Sequence, residues 1–237
     1  MYKTGKFLEE SKNRFRSLIE IDGKVEPCFI CSSSKLSPLI TLVNKEVLVR
    51  PVAGKKAKVK YALFGVKTET GYTLLDLNYV NNLLYEKIAN SKSYKAKTWT
   101  FERERKVLGR VKTDLLVEKG QQKIVYEAKA IISKGKIAIF PSVEGERAVR
   151  QLKEFKLLLK KGIKVNYCLF LLTTGVETVE INTKNKAFAK VFRQCLKKDM
   201  QVKIYEVVWK EEGFVVREKK KLEKGFQEQQ GKKIVVK

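Results

Sequence analysis

Apolar and polar residues alternate in short runs through the first third of the chain. Residues 15–21 and 24–31 alternate on either side of an Asp-Gly pair, which predicts a β-hairpin. Residues 46–52 form another strand-like run, and residues 58–78 predict a second hairpin around a Thr-Gly pair. Several short strands with basic and aromatic residues intermixed are typical of a small OB-type barrel, although another small β fold fits this pattern equally well.

The spacing of apolar residues then changes from the period of a strand to that of a helix. Within residues 78–91, the apolar residues Val80, Leu83, Leu84 and Ile88 recur near one face of a helix. The polar stretch that follows resembles a linker, so we expect the boundary between two units close to this helix.

The second part of the chain mixes strands and helices. The clearest helix covers residues 143–162, where Val149, Leu152, Phe155 and Leu159 lie along one side. A helix opened by Thr183 is also predicted. Together, the predicted strands are 99–107, 110–118, 123–132, 164–173 and 201–209, and the predicted helices are 143–162 and 183–199. This order describes a mixed α/β domain.

The net charge of the chain indicates what kind of partner it binds. The chain of 237 residues has 51 Lys and Arg against 26 Asp and Glu, a formal net charge of +25. Such an excess favours a polyanion, because each neutralised phosphate releases counterions. A lysine-rich or heat-adapted surface is the alternative, but heat adaptation usually raises glutamate as well.

The absence of histidine limits the chemistry. Ser–His catalysis and histidine metal sites are excluded, which leaves carboxylates, lysine, thiols and oxygen-ligated metals. Cys28 and Cys31 form a single CxxC in a strand-like run, so buried thiols explain them better than zinc. The opening residues lack a signal-peptide core, and the longest apolar run, YCLFLL, is too short for a bilayer. We expect a cytoplasmic protein with no membrane partner.

One constellation of residues points to specific chemistry. Asp114 lies on the first arm of a predicted hairpin, and Glu127 and Lys129 follow on the second arm, two residues apart. Residues two apart in a strand share a face, and a hairpin can bring Asp114 to the same face. Two carboxylates beside a lysine match the PD-(D/E)xK nuclease pattern, in which the acids would ligate Mg²⁺ or Mn²⁺. An exposed Glu127–Lys129 salt bridge is the competing interpretation.

The residues also resemble a known family along nearly the whole chain, the sugar fermentation stimulation protein A (SfsA) family. The stretch NRFRSLIEIDGKVEPCFI is similar to the family's opening, and the segment ending in LLDLNYVNN places Asp76 and Asn81. RVKTDLLVE, IVYEAKAI and IAIFPSVEGERAVRQLKEF are similar to its later motifs, which contain Asp114, Glu127, Lys129 and Arg147.

The resemblance implies a fold and a set of site residues. It implies an α/β (mixed) chain with an N-terminal OB-like β-barrel followed by a PD-(D/E)xK nuclease-like α/β domain. We predict the barrel over 1–80, the nuclease-like domain over 81–220 and a charged tail over 221–237. An upstream acid, Glu104 with Glu102 as the alternative, would complete a metal-ligand and catalytic set with Asp114, Glu127 and Lys129. The predicted nucleic-acid-binding residues are Arg14, Arg147, Arg150 and Gln151.

Two functions follow from these observations. The first is a DNA-binding protein that hydrolyses phosphodiester bonds with Mg²⁺ or Mn²⁺, on DNA or alternatively RNA, with a homodimer left open. The second is a non-catalytic, regulatory DNA-binding protein that retains a nuclease-like fold. The acid pair favours the first, because a pure binder has no need for acids that face a polyanion.

Overall fold

The alternating runs of the first third form one sheet of six strands. The structure is a computed structural model that describes residues 2–13, 15–32, 35–53, 58–95, 98–108, 111–142, 145–211, 213–219, 227–229 and 233–236. The six strands are β1 (Lys3–Glu10), β2 (Arg16–Ile21), β3 (Lys24–Phe29), β4 (Glu46–Pro51), β5 (Tyr61–Thr68) and β6 (Gly71–Leu74).

This sheet closes into a barrel. The strands follow the order β3-β2-β1-β4-β5-β6, and a parallel pairing of β3 with β5 at Cys28–Tyr61 and Phe29–Ala62 completes the circle. Asp22 and Gly23 both have positive φ, as a two-residue hairpin turn between β2 and β3 requires. The predicted N-terminal barrel is confirmed, but the sequence pattern misses β1. Phe7 is its only fully buried residue, so β1 shows no clear alternation.

The rest of the chain adds twelve strands and three α-helices among the described residues. The helices are α1 (Tyr79–Ala89), α2 (Glu146–Lys160) and α3 (Lys186–Leu196), with a short 3₁₀ helix at Lys92–Tyr94. The strands are β7 (Thr100–Arg103), β8 (Lys106–Val107), β9 (Val111–Lys112), β10 (Leu115–Lys119), β11 (Gln122–Ile131), β12 (Ile137–Phe140), β13 (Lys164–Leu171), β14 (Thr178–Ile181), β15 (Gln201–Lys210), β16 (Gly213–Glu218), β17 (Gln227–Gln229) and β18 (Lys233–Val236).

The main sheet of this part is mixed. Its order is β16-β15-β13-β11-β10-β7, and the three central strands β15, β13 and β11 run parallel. Parallel strands are covered on both faces, which explains the nearly continuous apolar run of β13. The predicted mixed α/β fold is therefore confirmed.

Three predicted elements differ in detail. The strand predicted over 110–118 is divided into β9 and β10. The strand predicted over 99–107 is broken into β7 and β8, because the chain turns at Glu104, where φ is +54°. The helix predicted to open at Thr183 begins at Lys186 instead. Asn185 caps it, since its side-chain oxygen accepts a hydrogen bond of 3.0 Å from the Phe188 N–H.

Several short strands in the second part of the chain are not predicted by the sequence pattern. β12 and β14 run parallel in a small sheet with β17 and β18, and β16 adds to the main sheet beside β15. The predicted charged tail, residues 221–237, is described only at 227–229 and 233–236, which are β17 and β18. None of the described helices combines the length and the apolar character that a membrane-spanning helix needs.

Two apolar layers hold the main sheet in place. On one face, α2 and α3 contribute the fully buried Phe155 and Phe192. On the other face, Leu84 of α1 packs in the same cluster as Phe64 of the barrel. The barrel and the main sheet therefore share a core through α1, while the division at residue 80 stays a prediction.

The α2 layer yields a stability prediction. Phe155→Ala is expected to lower the free energy of unfolding by about 3–5 kcal/mol, because it opens a cavity in a fully buried position. Leu157→Ala, on the exposed side of the same helix, is the matched control and should change it by about 0.5 kcal/mol at most. Urea unfolding followed by circular dichroism measures both. Equal losses in the two variants would contradict the assigned orientation of α2.

Candidate active site

The centre of β11 carries an acid and a base on one face of the main sheet. Val125 and Ile131 of β11 belong to the apolar layer under α2, so Glu127 and Lys129 between them also face α2. Glu127 is 3% exposed, and Lys129 Nζ lies 2.5 Å from Glu127 Oε1. The pair is thus not the exposed surface salt bridge that the sequence left open.

Helix α2 completes the surroundings of Lys129. Gln151, one turn into α2, accepts a hydrogen bond of 2.9 Å from Lys129 Nζ through its Oε1 atom. The ring of Tyr167 in the neighbouring strand β13 lies 6.0 Å from Nζ, within reach of a cation–π contact. An ammonium group has three N–H donors, and the hydrogen bonds to Glu127 and Gln151 use two of them.

Asp114 reaches the same place from the strand beside β11. Leu115 at the start of β10 pairs with Tyr126, which places Asp114 next to Glu127 across the hairpin. The Ala128 N–H donates a hydrogen bond of 2.8 Å to Asp114 Oδ2, and Asn81 Nδ2 of α1 donates one of 3.3 Å to Oδ1. The carboxylate is therefore held in place from two sides.

These side chains open into a cleft of about 510 Å³ between the barrel, α1 and α2. Asp114, Glu127, Lys129, Arg147 and Gln151 all line it. The structure thus brings together five of the eight site residues predicted from the sequence.

The two carboxylates of the site influence each other's protonation. Burial raises the pKa of Glu127 to about 7, and the charge of Asp114 acts in the same direction, although Lys129 opposes both. Burial also holds the pKa of the Tyr167 hydroxyl well above its ordinary range, so this group remains neutral. Two neighbouring carboxylates share one lysine as their counter-charge, so a second positive charge between them would stabilise their ionised forms.

The donor set fits a hard divalent cation. Glu127 Oε2 is buried and lacks a hydrogen bond of regular geometry within the described residues, although Gln151 is close enough to lower the pKa of this carboxyl. Two carboxylates supply oxygen ligands of the kind that Mg²⁺ and Mn²⁺ prefer. No group of three or more acidic or thiol side chains converges within the described ranges, so water or substrate oxygens would complete the coordination.

Glu104 does not join this cluster, which corrects the predicted upstream acid. Its carboxylate is exposed and forms an ion pair of 2.6 Å with Lys112, because the chain turns away at its positive φ. Only its backbone N–H contacts Asp114, at the carbonyl oxygen, 3.1 Å away. Glu102, the alternative, pairs with Arg105 at 3.0 Å and does not line this cleft.

The predicted nucleic-acid contacts divide into three cases. Arg147, on the first turn of α2, is exposed at the cleft. Gln151 lies in the cleft, but its amide oxygen binds Lys129. Arg150 is exposed elsewhere on α2, and Arg14 lies outside the described residues.

Sequence reasoning misses two side chains of the site. In the sequence, Tyr167 is one more apolar position of a buried strand. The register of β13 against β11 places it beside Glu127, and this register cannot be inferred from the sequence. Asn81 is a landmark of the family resemblance, but its contact with Asp114 depends on how α1 docks.

The raised pKa of Glu127 predicts a pH dependence for stability. The folded protein keeps a proton on Glu127 up to about pH 7, whereas the unfolded chain loses it near the ordinary value of 4.5. Stability therefore falls as pH rises between about 4.5 and 7, by about 3 kcal/mol. Glu127→Gln should remove this fall when unfolding is measured in EDTA from pH 5 to 8. A constant difference between wild type and variant would contradict it.

Comparisons with known proteins support one family. The family model described as "Sugar fermentation stimulation protein RE domain" matches residues 78–213, more than half of the chain. Sugar fermentation stimulation protein homologs from Desulfitobacterium hafniense (strain Y51) and Ruminiclostridium cellulolyticum are 25% and 26% identical. The alignments cover 84% of this chain and 86% of the first relative, and 92% of this chain and 95% of the second.

A solved structure agrees with these relatives at the level of the fold. Pyrococcus furiosus SfsA, in complex with Ca²⁺, superposes with a TM-score of 0.76 at 20% identity, covering 92% of this chain and 94% of that one. The resemblance seen in the sequence is confirmed: this chain belongs to the SfsA family.

Proposed function

We propose that this protein is a divalent-metal-dependent nuclease that binds DNA and hydrolyses its phosphodiester bonds. The observation that carries the proposal is the convergence of Asp114, Glu127 and Lys129 in one cleft, with a buried carboxylate oxygen that lacks a hydrogen bond of regular geometry in the described part of the chain. An acid pair facing a polyanionic substrate is repulsive unless a cation lies between them. The geometry therefore favours a metal site over a plain anion site.

The charge of the chain supports a nucleic acid as the substrate. A formal net charge of +25 attracts phosphate backbones over long distances and strengthens non-specific binding. Arg147 at the cleft edge would contact a phosphate near the reacting one. DNA is the proposed substrate, and RNA carries the same backbone charge, so both belong in the test.

Each side chain of the site has a distinct role in this proposal. Asp114 and Glu127 would hold Mg²⁺ or Mn²⁺, which supplies positive charge at the phosphate and makes water a stronger acid. Lys129 would use its remaining N–H to orient the attacking water or to stabilise negative charge that develops on phosphate oxygens. Gln151 fixes the Lys129 ammonium, and Asn81 fixes Asp114.

The solved relative adds support for a cation. Pyrococcus furiosus SfsA was solved with Ca²⁺, a hard cation that takes oxygen ligands, as Mg²⁺ and Mn²⁺ do. Ca²⁺ is larger and tolerates looser geometry than Mg²⁺, so we expect it to occupy the site with little or no cleavage.

A non-catalytic DNA-binding protein is the second candidate. The short Lys129–Glu127 contact favours it, because an internal salt bridge can persist for structure alone. It leaves the buried Glu127 Oε2 and the neighbouring Asp114 unexplained.

Incubation of the purified wild-type protein with labelled nucleic acids tests the proposal. The substrates are single-stranded, duplex and structured DNA and RNA, each with Mn²⁺, with Mg²⁺ or with EDTA. The proposal predicts cleavage of at least one substrate with a metal and none with EDTA. Intact substrates in every metal-containing reaction would overturn it, and tight binding under those conditions would support the second candidate.

A further inference from the structure

A second cleft adjoins the candidate active site on the other side of α1's first turn. It has a volume of about 370 Å³ and lies between the barrel, α1 and β7. Asn78 and Asn81 line both clefts, so the two clefts adjoin at these side chains. A ligand in one cleft would therefore lie next to the other.

Two arginines line the second cleft, and the charge of the first, Arg50, is balanced by Asp76. Arg50 of β4 donates two hydrogen bonds, from Nε at 2.9 Å and from Nη2 at 2.7 Å, to Asp76 Oδ2. Asp76 is fully buried and also accepts the Asn78 N–H at 3.1 Å, so the guanidinium is held rigidly while its side chain stays 43% exposed. An oriented guanidinium is well suited to phosphate oxygens.

Arg103 provides the second cation from the opposite wall. Its guanidinium lies 5.5 Å from the ring centre of Tyr85, and its Nη2 donates a hydrogen bond to Asn82 Oδ1. No acid within the described residues forms an ion pair with Arg103. Of the two acids that line the cleft, Asp76 pairs with Arg50 and Glu104 pairs with Lys112. The charge of Arg103 therefore remains available to a ligand.

Aromatic rings form another part of the cleft wall. Tyr2 stacks on Phe64 with ring centres 4.6 Å apart, and Tyr79 meets Phe64 edge-on at 5.0 Å. Both tyrosines line the cleft and are only partly buried. Aromatic rings beside arginines are the combination that binds unpaired bases and their phosphates.

The second cleft adjoins the candidate metal site at Asn81. Arg103 pairs with Leu115 across the β7–β10 ladder, and Leu115 directly follows Asp114. Adjacent residues of a strand point to opposite faces, so Arg103 and Asp114 lie on different faces of the sheet. The connection between the two sites is Asn81, which donates a hydrogen bond to Asp114 Oδ1 and lines both clefts. The volume of about 370 Å³ suits one nucleotide rather than a duplex segment.

We infer that this second cleft binds one unpaired nucleotide of the strand whose neighbouring phosphate lies at Asp114 and Glu127. Arg50 and Arg103 contact its phosphate, and Tyr2 and Tyr79 contact its base or sugar. The inference rests on the proposed nucleic-acid function and narrows its substrate class. The favoured substrates are single strands, flaps and frayed ends rather than uninterrupted blunt duplexes.

Arg103→Gln tests the inference, with Arg105→Gln as the matched control. Arg105 lies two residues away, and its substitution removes the same charge. Its side chain forms an exposed ion pair with Glu102 and lines neither cleft. Binding to labelled single-stranded DNA and to a blunt DNA duplex is measured in Ca²⁺ over a series of salt concentrations. Arg50 is left intact, because its loss would strand the buried Asp76 charge.

Arg103→Gln is expected to weaken single-strand binding about tenfold and to reduce the salt dependence by roughly one counterion. Blunt-duplex binding should change by less than about twofold, as should single-strand binding by Arg105→Gln. Equal effects of the two variants, or equal losses on both substrates, would overturn the inference. Because binding is scored without cleavage, a wild type that binds but never cuts would refute only the proposed nuclease activity.

Discussion

Lys129→Met is expected to reduce metal-dependent cleavage by about 10²- to 10⁴-fold, because it removes the only ammonium group within hydrogen-bond reach of Glu127 in the described part of the chain. Methionine retains most of the side-chain volume, so the apolar packing around β11 should survive. Glu127, left without its counter-charge, would take up a proton more readily, since burial already raises its pKa to about 7.

The control for this variant is Lys134→Met, which removes the same charge from an exposed turn after β11. Single-turnover cleavage and DNA affinity are measured for both variants. Loss of cleavage with affinity kept within about threefold separates a catalytic lysine from a lysine that merely attracts DNA. If Lys129→Met cuts as fast as Lys134→Met, Lys129 has no catalytic role.

Asp114→Asn should abolish both cleavage and the stabilisation that Mn²⁺ confers on the folded protein. The substitution keeps the shape and the hydrogen bond from the Ala128 N–H, but it removes one of the two anionic ligands. For wild type, Mn²⁺ at 100 times its dissociation constant should stabilise the fold by about 2.7 kcal/mol. This corresponds to a rise in Tm of roughly 5–10 °C.

Glu104→Gln is the informative companion to Asp114→Asn. Its carboxylate is exposed and bound to Lys112, so its loss should leave cleavage and the Mn²⁺-induced shift nearly unchanged. Thermal unfolding with and without Mn²⁺ measures the shift in all three proteins. An Asp114→Asn protein that Mn²⁺ still stabilises as it does the wild type would place the cation elsewhere.

The acid–base core of the site could be predicted from sequence because it depends on short-range geometry. Glu127 and Lys129 are two residues apart on one strand, and strand periodicity alone puts them on one face. Asp114 follows from a hairpin whose turn is visible in the sequence. These are local relations, and the structure keeps all of them.

The features that sequence missed depend on long-range placement or on local backbone detail. Tyr167 reaches the site through the pairing of β13 with β11, and Asn81 through the docking of α1. The prediction for Glu104 fails because the chain turns there at positive φ and a nearby lysine captures the carboxylate. Neither the turn nor the competing ion pair can be read from the spacing of acids.

The fold shows the same division. The hairpins, the long helix α2 and the buried strand β13 have clear periodicity and were predicted, whereas β1 buries a single large side chain and was not. The closure of the barrel through β3 and β5 joins residues more than thirty positions apart, a relation that no local pattern encodes.

Anomalous diffraction from a crystal of the protein soaked in Mn²⁺ tests the central claim most directly. The claim is that Asp114 and Glu127 form one cation site beside Lys129. The expected result is a single strong peak within about 2.0–2.6 Å of a carboxylate oxygen from each acid, the range for hard divalent cations. A peak bound elsewhere, or a cleft without manganese while Lys129 still bridges Glu127 and Gln151, would contradict the account.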